Sequence, residues 1–79
     1  MKVDFEPKKM TLNELSEAYL PELTDKQHRV KTFIARLLIA DIERYLSPIR
    51  RGKHLCGNAK LSLQDVWVIT RHFGWPPFK

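Results

Sequence analysis

The stretch DKQHRVKTFIARLLIADIERYL, residues 25 to 46, places Val30, Phe33, Ile34, Leu37, Leu38, Ile42, Tyr45 and Leu46 at the three- and four-residue spacing of one helical face. The spacing predicts a single helix from about Asp25 to Leu46, stopped by Pro48, and makes it the spine of the fold. The polar residues Arg29, Thr32, Arg36, Ala40 and Glu43 then form the opposite stripe, which puts Arg29 and Arg36 on one exposed face. Asp41 interrupts the apolar stripe. A carboxylate at that position needs a partner or water, because an isolated buried charge is too costly. Arg44, an arginine of the 50s or a tryptophan N–H can supply the pairing, and a site for a partner's basic or hydroxyl group is the alternative.

Outward from this helix, three helix starts are legible from a hydroxyl residue followed three positions later by Glu, Gln or Asp: Thr11 with Glu14, Thr24 with Gln27, and Ser62 with Asp65. The hydroxyl accepts from an otherwise unpartnered N–H of the first turn while the longer side chain reaches back to the cap. A first helix is predicted from Thr11 to Leu20, facing Leu12, Leu15, Tyr19 and Leu20 inward and ending before Pro21. A last helix is predicted from Leu63 to Phe73, with Gly74 at the left-handed C-terminal position and Pro76-Pro77 preventing continuation. The expected fold is all-α: a small three-helix domain of short, long and short helices, with flexible N-terminal (1–10) and C-terminal (75–79) tails. Strand-like alternation and internal repeats are not apparent.

A chain of 79 residues has length for one domain, spanning 1–79, because a second core could not be enclosed. Cys56 is the single cysteine, so no internal disulfide can form. Acidic residues at Asp4 and Glu6 stand where a signal peptide needs an apolar run, and the uncharged apolar run Leu37 to Ala40 is far below the roughly 20 residues of a membrane span. A cytoplasmic (or, in a eukaryote, nuclear) protein without membrane partners is the expectation. Fourteen Lys and Arg against nine Asp and Glu give +5. The signs segregate, since residues 1 to 25 carry three basic and six acidic residues, and residues 26 to 79 carry eleven and three. A body with net +8 attracts polyanions such as DNA, RNA or an acidic protein surface.

The segment Ser47 to Lys60 holds Arg50, Arg51, Lys53 and Lys60 with no acid, and Gly52, Gly57 and Asn58 bend it into an accessible loop. These four residues are the predicted phosphate contacts, with Arg29 and Arg36 as extensions. His54 and Cys56 make one close pair where a structural zinc site needs two, so neither a metal nor another cofactor is expected. Catalytic signatures such as a phosphate-cradling Gly-rich loop, a nucleophile elbow or a paired-histidine zinc helix are missing, and the chain is read as non-enzymatic.

The last helix is apolar nearly all round, with Leu63, Val66, Trp67, Val68, Ile69 and Phe73, and Trp75, Pro76, Pro77 and Phe78 follow. Such a helix is either enclosed or covered by a partner, so Val68, Trp75 and Phe78 are predicted interface residues of a homodimer or a complex with another protein. Leu61 to Val66, closing at Phe73-Gly74-Trp75, resembles the first helix of a helix-turn-helix, although the recognition helix has no counterpart. Thr11 to Leu15 with Tyr19-Leu20, a long helix and then Leu61 to Val66 resembles the helical core-binding domain of phage-type tyrosine recombinases. The short, long, short order, with Ser62, Asp65 and Val66 opening the last helix, is similar to a histone fold. These resemblances imply association with DNA and transfer no functional residue.

Two functions are therefore expected in order. The first is a DNA- or RNA-binding regulatory module, DNA favoured, reading duplex or structured targets because the aromatics lie away from the basic loop. The second is a protein-binding adaptor or inhibitor docking through helix 62–73 and the aromatic tail. A phage or mobile-element origin suits either.

Overall fold

The computed structural model describes residues 5–78, and the expectation of a loose tail at residues 1–4 lies outside them. In chain order the elements are strand β1 (Met10–Thr11), helix α1 (Leu12–Tyr19), helix α2 (Lys26–Ile39), a 3-10 turn at Glu43–Tyr45, helix α3 (Ser47–Arg50), strand β2 (Lys60–Leu61) and helix α4 (Leu63–Phe73). The protein is thus rich in helix but not purely so. β1 and β2 pair antiparallel, with Met10 opposite Leu61 and Thr11 opposite Lys60. Two residues per strand are too few to show alternation, which is why the pairing is invisible in the sequence.

The long helix predicted from Asp25 to Leu46 is the main correction, since α2 ends at Ile39 and the chain reverses at Asp41, whose φ is +59°. Asp41 N–H donates to the Leu38 carbonyl at 3.0 Å and Ile42 N–H to the Leu37 carbonyl at 3.2 Å, the paired bonds of a Schellman ending. Aspartate is among the few residues other than glycine that tolerate this left-handed geometry. The reversal has a packing cause. A continuous helix would carry Ile42 about 26 Å and Leu46 about 32 Å from its start at 1.5 Å per residue, away from the residues of α1 and α4 that they pack among. Breaking at Asp41 returns both side chains to the core, where Ile42 is 8% and Leu46 0% exposed. Leu38 and Tyr45, predicted to face inward, are each 54% exposed instead. The Asp41 carboxylate lies in solvent and pairs with Arg44 at 2.9 Å, which matches the pairing reading of that residue. Pro48 does not stop a long helix but sits in the first turn of α3, where a missing N–H costs nothing.

The two outer helices follow their sequence signals closely. Thr11 and Ser62 form complete capping boxes with Glu14 and Asp65. At α2 the cap is Asp25, which accepts from Gln27 N–H at 3.2 Å, and Thr24 takes no part in it. The core consists of Leu12, Leu15, Tyr19 and Leu20 from α1 and its end, Val30, Phe33 and Leu37 from α2, Ile42, Leu46 and Leu61 from the connections, and Val66 and Ile69 from α4. Fully burying each such side chain contributes about 1.5–3 kcal/mol.

Neither tail is loose where it is described. Phe78 donates its N–H to the Tyr19 carbonyl at 3.0 Å, and its ring lies 4.7 Å from that of Tyr19 and 5.1 Å from that of Phe73. Pro76 is buried, and Phe5 meets the edge of Trp75 at 5.5 Å. Aromatic residues with apolar surface to cover return to the core even when prolines end the preceding helix.

Candidate nucleic-acid interface

The segment between α3 and β2 is anchored at both ends by the chemistry of helix starts. At its beginning, buried Asp65 of α4 accepts from Ser47 N–H and Ser47 Oγ, each at 3.0 Å, while its other oxygen accepts from Ser62 N–H at 2.9 Å. One carboxylate therefore joins the start of α3 to the start of α4. At the far end, the first two N–H groups of α1 have no partner within their own helix and take carbonyls of the segment instead. Leu12 N–H donates to Ala59 O at 2.9 Å and Asn13 N–H to Gly57 O at 3.0 Å. Between the anchors, Gly52 turns the chain at φ +78° and Lys53 N–H closes on Pro48 O at 2.8 Å.

This anchoring fixes the backbone that carries the exposed cations. Arg50, Arg51, Lys53 and Lys60 are all exposed. Arg51, Lys53 and Lys60 line one hollow of about 370 Å³ together with His54 and Asn58. Arg51 and Lys60 also line a second of about 410 Å³ together with Lys9, Glu14 and Ser62. Arg50 lies beside Arg51 in the chain but lines neither. Lys9 and His54 were not predicted as contacts. Lys9 lies in the stretch read as a tail, and only the β1–β2 pairing brings it beside Lys60.

Among the described residues, no acidic group forms an ion pair with these cations. Among the described residues the ion pairs are Arg29 with Glu17 and Arg44 with Asp41, both outside the loop. Glu14 is the one acid lining either hollow. One of its oxygens accepts from Thr11 N–H at 3.0 Å and Thr11 Oγ1 at 3.2 Å, and these bonds, the backbone one first, hold its carboxyl below the ordinary range.

Arg29 is not on an exposed face as the spacing implied. It is only 8% exposed, and its guanidinium donates to Ser16 Oγ at 3.1 Å, Leu23 O at 3.2 Å and Asn13 Oδ1 at 2.7 Å, with Glu17 at 3.4 Å. It clamps α2 to α1, its planar fork of donors reaching several acceptors at once. Arg36 is exposed but lies with its guanidinium 4.5 Å over the Phe78 ring. Arg29 packs against α1 while Arg36, still exposed, lies against the C-terminal segment, so the two do not share one free solvent stripe.

The predicted protein-interface residues divide in the same way. Val68 and Phe78 are partly buried against the core, so intramolecular packing covers part of the surface read as a partner's. Trp75 remains 57% exposed, and Trp67, which was counted only as one apolar residue of a helix, is 46% exposed. Their ring centroids stand 6.1 Å apart at 34°. The i, i+4 spacing of Leu63, Trp67 and Arg71 was the available signal, since it marks a stripe distinct from Val66, Ile69 and Phe73.

Among the described residues, no three His, Cys, Asp or Glu side chains converge as metal ligands, and no helix is long and apolar enough to cross a membrane. No protein-family model, curated protein or solved structure matches this chain. The short, long, short order behind the histone likeness loses its long member at Asp41.

Proposed function

We propose that the chain is a non-enzymatic nucleic-acid-binding module, regulatory in role, that holds phosphates in the two hollows flanked by Arg51 and Lys60, with Lys53 and Arg50 adjoining. The observation that supports this is the convergence of exposed, unneutralised cations on a segment whose backbone is fixed at both ends. Fixed cations lose less conformational entropy on binding than cations on a mobile loop. Contacts of this kind set affinity and orientation, and they carry no base sequence.

The test is binding to generic duplex DNA, duplex RNA and single strands across a salt series. Phosphate binding requires log affinity to fall linearly with log salt, with a slope near −0.9 per phosphate neutralised on B-DNA and about −0.7 on a single strand. Micromolar protein that binds no nucleic acid even at low salt removes the proposal.

A further inference from the structure

The exposed stripe of α4 runs through Leu63, Trp67 and Arg71, and Trp75 stands just past the helix end. Trp67, Arg71 and Trp75, with Thr70, line a hollow of about 280 Å³ that contains no carboxylate, and Phe5 backs Trp75 from behind. Two tryptophans with ring centroids 6.1 Å apart, each about half exposed, offer aromatic surface to a flat partner. The stripe begins one residue after Ser62, which lines a basic hollow with Arg51 and Lys60. At 1.5 Å and 100° per residue, Trp67 lies about 7.5 Å along the axis from Ser62 and about 140° around it, so the platform faces a different side of α4 from the basic hollow. The platform carries its own cation, Arg71.

From two half-exposed indoles and a cation sharing one hollow without a carboxylate we infer that the ligand is single-stranded nucleic acid, its bases stacked on Trp67 and Trp75 and its phosphates held by Arg71 and by the Arg51–Lys60 hollows. The inference rests on the phosphate-binding reading above and specifies the form of the polymer. Charge and shape choose this occupant together. A duplex keeps its base faces inside the stack and has nothing to lay on an indole, whereas a single strand exposes a π-face at every nucleotide. An acidic protein segment would match the charge but not the paired flat rings. The expectation of a duplex target rested on aromatics lying away from the basic loop, and the fold gives the exposed aromatics a cation of their own, Arg71.

The chain's only two tryptophans are the two of the platform, so intrinsic fluorescence reports on this site alone. The protein is titrated with single-stranded oligothymidylate of about ten nucleotides, with a blunt DNA duplex, and with inorganic polyphosphate, which supplies phosphates without bases. Quenching by oligothymidylate well beyond that by duplex or polyphosphate is the expected result. Trp67→Ala should weaken oligothymidylate binding roughly tenfold, and Trp67→Tyr, which keeps a ring, should retain most of it. Far-ultraviolet circular dichroism checks that each variant is folded, and Trp75→Ala provides a second reading if Trp67→Ala is not. Equal quenching by polyphosphate, or an unchanged affinity in both folded alanine variants, overturns the stacking inference. In that case salt-dependent binding through Arg51, Lys53 and Lys60 would leave the phosphate reading intact. Loss of binding to all three probes would remove both.

Discussion

Tyr19 donates its phenolic hydrogen to the Gly74 carbonyl at 2.6 Å, joining residues 55 apart and tying the end of α1 to the end of α4. The same residue accepts Phe78 N–H on its own carbonyl and stacks on Phe33 at 5.6 Å, so one side chain and its backbone hold three parts of the core together. Burial pushes the phenol's pKa above its ordinary value. A group whose pKa is raised by folding stabilises the fold fully below its unfolded pKa, and that stability is lost as pH rises toward the folded value. Tyr19→Phe should cost about 1 kcal/mol at neutral pH through the lost hydrogen bond. It should also remove a component of alkaline destabilisation that sets in above about pH 10, at roughly 1.4 kcal/mol per unit. Urea denaturation of both chains from neutral to alkaline pH measures this, and identical pH dependences would show that Tyr19 is not protected.

Arg29→Ala should destabilise the protein by roughly 2–4 kcal/mol, because it strands the Asn13, Ser16 and Leu23 acceptors in a partly dry joint. Arg29→Lys should recover little, since an ammonium cannot span the same fork of acceptors. Thermal melts report the cost. Nucleic-acid affinity of the protein still folded should not change, and a selective loss of affinity would return Arg29 to the interface.

Replacing Arg51, Lys53 and Lys60 together by Ala should leave stability within about 0.5 kcal/mol per site, as expected of exposed charges. If each neutralises one phosphate, the salt slope should become shallower by about 2 units on a single strand. Affinity measured at four or more salt concentrations decides the point. An unaltered slope would place the contacts elsewhere.

Asp41→Gly should be neutral or slightly stabilising, because glycine adopts φ +59° without strain and the exposed ion pair to Arg44 is worth under about 1 kcal/mol. Asp41→Val should cost about 1–2 kcal/mol, since a β-branched residue opposes the left-handed geometry. The reverse order in chemical denaturation would mean that α2 continues through this position as the apolar spacing suggested.

Val68→Glu tests whether this part of α4 is core or interface. Its side chain packs against the core, so a carboxylate there should lower the melting temperature of the isolated chain by several degrees. Sedimentation at several concentrations supplies the complementary reading. A concentration-dependent association abolished in a variant of undiminished stability would assign Val68 to a subunit contact instead.

The helix boundaries of α1 and α4 were legible because their signals are local. A hydroxyl cap, a carboxylate three residues on and a glycine or proline at the end act within one turn, so Thr11 with Glu14 and Ser62 with Asp65 need no tertiary context. The break at Asp41 left a trace, a carboxylate in the apolar stripe, but periodicity cannot say whether Ile42 and Leu46 reach the core by continuing the helix or by turning back. Tertiary packing decided that, since Ile42 and Leu46 are buried only as the chain turns back at Asp41. Composition likewise showed that residues 26 to 79 are basic and which segment concentrates the charge. Which cations are free was a tertiary matter: Arg29 and Arg36 are engaged by α1 and Phe78, while Lys9 joins Lys60 through a two-residue strand pairing. The separation of Trp67 and Trp75 from Phe78 arose the same way, since apolar residues of one short stretch are indistinguishable until the core has taken those it can enclose.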